Sequence, residues 1–282
     1  MKQFVCACLL AFALASCSNK PVDLNVMSFN IRYDNPADSL NNWKYRKDVA
    51  AQAVKMNDVD LLGTQEVLVN QLNDLKARLP EYTALGVGRD DGKTAGEYSA
   101  IFYKTKRFEN LKSGTFWLSA TPDVAGSKGW DGGCRRIATW AVLKDKATGR
   151  DFFYINTHLD NVGKIARKEG VTVLLKRAKL YAGGRPIIIT GDFNSTPQSE
   201  VYAHVTSDGI YRDSRIVAKT VLGNAKGTFH DFGKIPPEKR EFIDYVFVTK
   251  QFQVDTFRVL PEKIDTTYLS DHCPILANLT LK

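Results

Sequence analysis

The chain has 282 residues, 44% of them hydrophobic and 25% charged, with a formal net charge of +8. Those proportions exclude a disordered or low-complexity chain and describe an ordinary globular protein. The modest positive balance suits an anionic substrate without demanding one.

Residues 1–17 read as an export signal. "MKQFVCACLLAFALASCSNK" opens with one Lys, runs apolar from Phe4 to Ala15 and turns polar after Cys17. The apolar run is shorter than the roughly 20 residues a spanning helix needs. "LASC", Leu14 to Cys17, resembles the lipobox of bacterial lipoproteins, in which the Cys is lipid-modified and becomes the new N-terminus. An ordinary secretory signal cleaved near Ser16 is the alternative. The resemblance implies a cell-envelope protein, periplasmic or on the outer membrane, held to the membrane only by acyl chains on Cys17. Removing the segment takes away Lys2 and lowers the net charge from +8 to +7. Residues 18–24 then form a short tether, and residues 25–282 form one domain, because no linker, repeat or charge block divides them. Cys6 and Cys8 leave with the signal, so Cys134 and Cys273 remain, free to pair outside the cytoplasm.

"DLNVMSFNI" (Asp23 to Ile31) alternates as a strand, and Trp43 to Met56 has helical spacing with Val49, Ala50, Ala53 and Val54 on one side. "VDLLGTQEV" is a second strand, and Leu68 to Leu79 is a helix stopped by Pro80. "YTALGVG", "YSAIFY", "IATWAVL", "DFFYINTHL", "PIIITGDFN", "FIDYVFV" and "FQVDTFRVL" are strands rich in Ile, Val, Phe and Tyr. A long helix fits between Val162 and Tyr181, weakened by Gly170. Strands outnumber helices and often follow one another directly. The expected fold is therefore α/β (α+β), packed sheets flanked by helices rather than a doubly wound parallel sheet.

Several of these strands end in polar residues. "IIITGDFNSTP" runs from three isoleucines to Asp192 and Asn194, which alternation places on one side, with Phe193 on the other. "SFNIR" puts Asn30 near a strand end, "LLGTQEV" puts Glu66 there, and "FYINTHLD" does the same for His158 and Asp160, with Asn156 on the same alternation. Asp244 sits inside the apolar strand "FIDYVFV" and needs a partner. His272, next to Asp271 in "YLSDHCPI", is available, and an Asp–His pair is how a general base is built. Taken singly, Asp192 reads as a turn residue and His158 as a hydrogen-bonded structural histidine. Together they make chemical sense. Glu66 suits a hydrated Mg²⁺, Asn30 adds a carbonyl oxygen, Asp192 and Asn194 orient a water and the anion it attacks, and His158 faces a phosphoryl oxygen.

"SFNIR", "TQEV", "NTHLD", "GDFNSTP", "IDYVFV" and "SDHCPI", in this order, resemble the endonuclease/exonuclease/phosphatase superfamily with its DNase I-like fold, over the chain from about Asn25 onward. The resemblance implies a four-layer sandwich, two mixed β-sheets flanked by α-helices. It implies Glu66 as the main metal ligand with Asn30 and Asp271 beside it, Asp192 and Asn194 positioning nucleophile and phosphate, the His272–Asp244 pair as base, and His158 as a second, phosphate-facing histidine. The expected activity is Mg²⁺-dependent hydrolysis of a phosphate ester, with Mn²⁺ as a substitute, by in-line attack of water. Segment by segment, the chain is most similar to secreted, lipoprotein-type members from Bacteroides-like bacteria.

The substrate is less legible. Arg32, Arg89 and Arg136 are candidate phosphate contacts, with solvated or structural roles as the alternative. Trp43, Trp117 and Trp130 stack on a ring or pack the core. No K/R-rich run marks a duplex-tracking surface, so nucleic acid, lipid head groups and sugar phosphates all remain open. A monomer is expected. A glycosidase using Glu66 and Asp192 leaves the histidines without a purpose, and a non-catalytic binding protein for a phosphorylated ligand predicts indifference to Asn194→Ala.

Overall fold

The computed structural model describes residues 20–223 and 227–282, so Cys17 and the signal segment lie outside the described residues. Fifteen strands and five α-helices follow one another along it. The strands are β1 (Val22–Asn30), β2 (Leu61–Gln65), β3 (Tyr82–Leu85), β4 (Ile101–Lys104), β5 (Phe108–Trp117), β6 (Ile137–Asp145), β7 (Asp151–His158), β8 (Ile187–Asp192), β9 (Arg212–Asp213), β10 (Thr220–Leu222), β11 (Asp244–Val248), β12 (Phe252–Val259), β13 (Lys263–Ile264), β14 (Thr267–Tyr268) and β15 (Ile275–Leu281). The helices are α1 (Trp43–Met56), α2 (Val69–Arg78), α3 (Lys164–Ala182), α4 (Glu200–Thr206) and α5 (Ser214–Val217). β1 begins at Val22, so the last residues of the expected tether are already sheet.

Two large mixed sheets form, in the orders β10-β12-β15-β1-β2-β4-β3 and β5-β6-β7-β8-β11-β9. They pack face to face through β1 and β2 on one side and β7, β8 and β11 on the other. Helices α1 and α2 cover the outer face of the first sheet, and α3 lies on the second. This is the expected four-layer sandwich.

Alternation in β1 shows how the layers are written. Val22, Leu24 and Val26 face the second sheet, whereas Met27, Phe29 and Ile31 face α1, among Trp43, Ala50 and Val54. Each fully buried side chain of this size contributes roughly 1.5–3 kcal/mol. Further along the same inner face the chain turns polar, at Ser28 and Asn30. Gln65 donates to Ser28 (3.2 Å) and to Asn156 (2.8 Å), whose oxygen also accepts from Thr190 (3.0 Å). A Cβ at Gly63 would overlap Thr190 and Asn156, so only glycine lets this ladder close. The interface between the sheets is thus apolar at one edge and hydrogen-bonded at the other.

Candidate active site

Topology brings the polar strand ends to that second edge. β1 and β2 are parallel and joined through α1; β7 and β8 are parallel and joined through α3. Parallel strands end on the same side, so Asn30 pairs with Gln65, the residue before Glu66, and His158 pairs with Asp192. β11 runs antiparallel to β8 and starts there, with Asp244 opposite Asp192. β15 runs antiparallel to β1, so Asp271 and His272, just before it, arrive at the same edge. Three of the local backbones bend sharply: Arg32, Glu66 and Asn194 have φ of 58°, 61° and 46°. Non-glycine residues hold that left-handed conformation only where surrounding structure imposes it, and such sites are often functional.

The side chains converge on a cleft of about 600 Å³ lined by Arg32, Glu66, Arg136, His158, Asp192, Asn194, Asp271 and His272, among others. Asn30 and Asp244 lie beneath it. The Asn30 amide nitrogen donates to Glu66 Oε1 (3.1 Å) and Asp192 Oδ2 (3.0 Å) and lies 3.4 Å from His272 Nε2. Its oxygen accepts from the Arg32 amide (3.0 Å). Asn30 therefore presents N–H groups to the cluster, and the carbonyl oxygen expected as a metal ligand is turned to the backbone. Glu66 Oε2 accepts from the Tyr33 amide (3.1 Å), and Asp192 Oδ1 from the Asn194 amide (2.9 Å).

His272 donates from Nδ1 to Asp244 Oδ2 (2.9 Å), and its Nε2 lies 3.8 Å from Asp192 Oδ2. Burial alone would lower its pKa; the carboxylates of Asp244, Asp192 and Asp271 outweigh that and push it up to about 10. Burial raises Asp192 to about 7, with the charge of Asp244 adding to the effect. His158 differs. Burial, with the positive charges of Arg136, Arg89 and His272, holds it well below the usual histidine range, so it is neutral. Asn194 donates from Nδ2 to Leu159 O (3.0 Å) and lies 2.9 Å from His158 Nε2, which makes that nitrogen an acceptor.

Two arrangements fit a cation. Carboxylate and imidazole atoms of Asp192, Asp244 and His272 all lie within 4.8 Å of one another, although a proton already bridges His272 and Asp244. Glu66 and Asp271 offer hard oxygens at the cleft wall, and burial together with the Glu66 charge raises the Asp271 pKa. Carboxylates crowded in this way are relieved by a divalent ion. Arg32 answers part of that crowding: it grips Asp38 with two bonds (3.0 and 3.1 Å) and stands 3.7 Å from Asp271 and 3.9 Å from Glu66. Arg136 lines the cleft and donates to Asn161 (3.0 Å). Arg89 reaches the cleft only through Glu97, which it holds at 2.7 Å.

Glu97, Phe229 and Arg46 were not anticipated. Glu97 lines the cleft, and the Phe229 ring lies 4.9 Å from that of His272. Arg46 is fully buried in α1 and donates to the carbonyls of Ile31 (2.8 Å), Leu269 (3.0 Å) and Asn41 (2.5 Å), tying both edge segments together. Asp160 proves structural: its carboxylate accepts from the amides of Gly133, Cys134, Val162 and Gly163. Trp43 and Trp117 are buried, donating to Asp74 and to the Arg89 carbonyl, whereas Trp130 is exposed. Cys134 and Cys273 are free, so the pairing open to them does not form.

A two-sheet sandwich carrying acids, amides and paired histidine at one edge is the arrangement of the DNase I-like hydrolases of phosphate esters. The chain belongs to the Endonuclease/Exonuclease/phosphatase family, whose pattern matches residues 27–272. It is similar to the endonuclease/exonuclease/phosphatase of Bacteroides vulgatus, at 49% identity and a TM-score of 0.90, covering 93% of this chain and 100% of that one. It is also similar to a mannosyl-6-phosphatase of Bacteroides thetaiotaomicron, at 39% identity and a TM-score of 0.85, covering 91% and 99%. Among curated proteins it matches the CCR4-Not complex 3'-5'-exoribonuclease subunit Ccr4 of Mycosarcoma maydis, 27% identical over 87% of this chain and 47% of that protein. The chain spans about half the length of the curated relatives it matches.

Proposed function

We propose that this protein is a divalent-metal-dependent phosphoesterase that hydrolyses small phosphorylated metabolites, sugar phosphates foremost. The observation that carries the reading is the single cleft in which Glu66 and Asp271 face Asp192, Asn194 and the two histidines. Glu66 and Asp271 would hold the metal, Mg²⁺ or Mn²⁺, and when bound it would draw charge from a phosphoryl oxygen. Asp192, with a pKa near neutrality, is the group suited to take the proton of the attacking water. His272, an imidazolium against Asp244, stabilises negative charge rather than accepting a proton, which moves the base from the pair anticipated in the sequence to Asp192. Asn194 fixes both the Asp192 carboxylate and neutral His158, so nucleophile and phosphate keep one geometry.

The substrate class is supported by two things. Glu97, Asp231 and Glu241 line the cleft beside the catalytic acids, and among the described lining residues only Arg32, Arg136 and the His272 imidazolium are cationic, which disfavours tracking a polyanion. The mannosyl-6-phosphatase at 39% identity also acts on a sugar phosphate, by its name. The test is release of phosphate from mannose 6-phosphate, run beside nicking of plasmid DNA, with Mg²⁺ or EDTA. Metal-dependent phosphate release with intact plasmid is expected. Absence of hydrolysis of both, with Mg²⁺ and with Mn²⁺, would overturn the reading.

A further inference from the structure

The edge opposite the cleft has a chemistry of its own. β1 ends at Asn30 in the site and begins, paired with Leu281, at the far edge, roughly 26 Å away at about 3.3 Å per residue. The chain enters there through Lys20 and Pro21, both exposed. Cys17 stands three residues before Lys20 in the sequence, a reach of at most about 11 Å of extended chain. The turns after β4, β6 and β11 lie at this edge too, as does the end of α1, and they carry exposed Lys106, Lys146, Lys250 and Lys55. The buried and half-buried carboxylates nearby are already engaged. Asp60 pairs with Lys104 (2.9 Å) and Arg107 (2.8 Å), Asp145 with Arg107 (3.0 Å) and Asp151 with Arg185 (2.8 Å). None of the exposed lysines shares in these pairs. The exposed acids of this edge are Asp23, Glu81, Asp208 and Asp58, the last bound to Lys104 (2.6 Å), and they are outnumbered by the exposed lysines with Lys20, whereas the charged residues that line the cleft are mostly acids.

We propose that this lysine edge docks on the anionic headgroups of a phospholipid bilayer to which acyl chains on Cys17 tether the domain, with the cleft facing the aqueous phase. Attraction of lysines to a charged surface fades within a Debye length of about 8–10 Å, so only the near edge feels it. The short reach from Cys17 keeps that edge close and leaves no slack for the domain to turn over. The proposal rests on the phosphoesterase reading only for its consequence: the substrate is a water-soluble phosphate ester, and lipids of the anchoring bilayer are out of reach.

The experiment uses the full lipidated chain in vesicles of phosphatidylethanolamine and phosphatidylglycerol containing a nitroxide-headgroup lipid as quencher. One sample carries a fluorophore on Cys134, which lines the cleft; the other carries it on Lys146→Cys in a Cys134→Ser background. Strong quenching at position 146 and solution-like emission at 134 is the expected result. Equal quenching at both positions, stronger quenching at 134, or a chain that stays off the vesicles overturns the proposal. Adding Lys106→Glu and Lys250→Glu is expected to cut quenching at 146 at least twofold, as is raised salt; no change in either would remove the lysines from the docking. Neither readout involves hydrolysis, so an inactive enzyme and a wrongly assigned surface are told apart.

Discussion

Asp192 sits in a position that folding alone would not choose. It is almost fully buried beside Asp244, and its pKa stands near 7, above the roughly 3.9 of an unfolded Asp. The folded state therefore binds more protons than the unfolded one between about pH 4 and 7, and stability falls as pH rises through that window. Asp192→Asn is expected to raise the urea midpoint at pH 8 relative to pH 5, measured in EDTA, while turnover drops about 10³-fold or more. A gain in stability with loss of activity marks a residue held for chemistry. His272 changes stability in the same direction with pH, but here it is the charged form that the fold favours. Its pKa, raised to about 10, gives stability that is complete below about pH 6.5 and lost as pH climbs through 10. The stability gap between wild type and His272→Ala should thus be widest near pH 6 and close toward pH 10.5 in the same titration. Asp244 was legible in the sequence because a charge inside an apolar run needs a partner, His272 as the partner available, and Asp192 because it shares one side of a strand end with Asn194. Arg46 was not, since an arginine on an amphipathic helix looks solvated until the fold buries it.

At the scale of elements, the strands rich in Ile, Val and aromatic residues were readable, and their ends fell within three residues, the widest misses being at β3 and β4. α1 spans Trp43–Met56 as its spacing required. α3 begins two residues after the expected start and continues to Ala182, where Gly183 at φ 57° ends it in a left-handed cap. Gly170 is buried against Leu118 in mid-helix, with room for a Cβ at an ordinary 3.5 Å contact, so no close approach demands glycine there. β5 was missed: "FENLKSGTFW" is an edge strand buried only at its two ends, so no alternation marks it. Which sheet each strand joins was also unreadable, since pairing is decided between residues far apart in the chain. The Asp160 staple belongs to this scale. Its four backbone bonds hold the loop before β6 against the one after β7, and together they keep its carboxyl far below the usual Asp range. Asp160→Ala is expected to cost about 1–3 kcal/mol in urea denaturation. It should also raise KM more than it lowers kcat, because Cys134 and Arg136 on that loop line the cleft.

The whole molecule is an apolar interface between sheets that becomes, at one edge, a charged cleft. Mutual repulsion of the acids in that cleft makes the fold sensitive to cations. Mg²⁺ at a hundred times its Kd is expected to stabilise the protein by about 2.7 kcal/mol. Thermal denaturation should show that gain in wild type and its loss in a Glu66→Gln, Asp271→Asn double variant, which tests the site without any substrate. One feature of the topology reaches further. β15 follows every other strand in chain order, yet it lies between β1 and β12, in the middle of the first sheet, and it carries Asp271 and His272 into place. During synthesis Asn30 and Glu66 emerge early and wait, since the strand that brings their partners is made after all the other strands of the two sheets. A half-made chain therefore holds no complete set of hydrolytic groups, and activity appears only after the first and last strands have met.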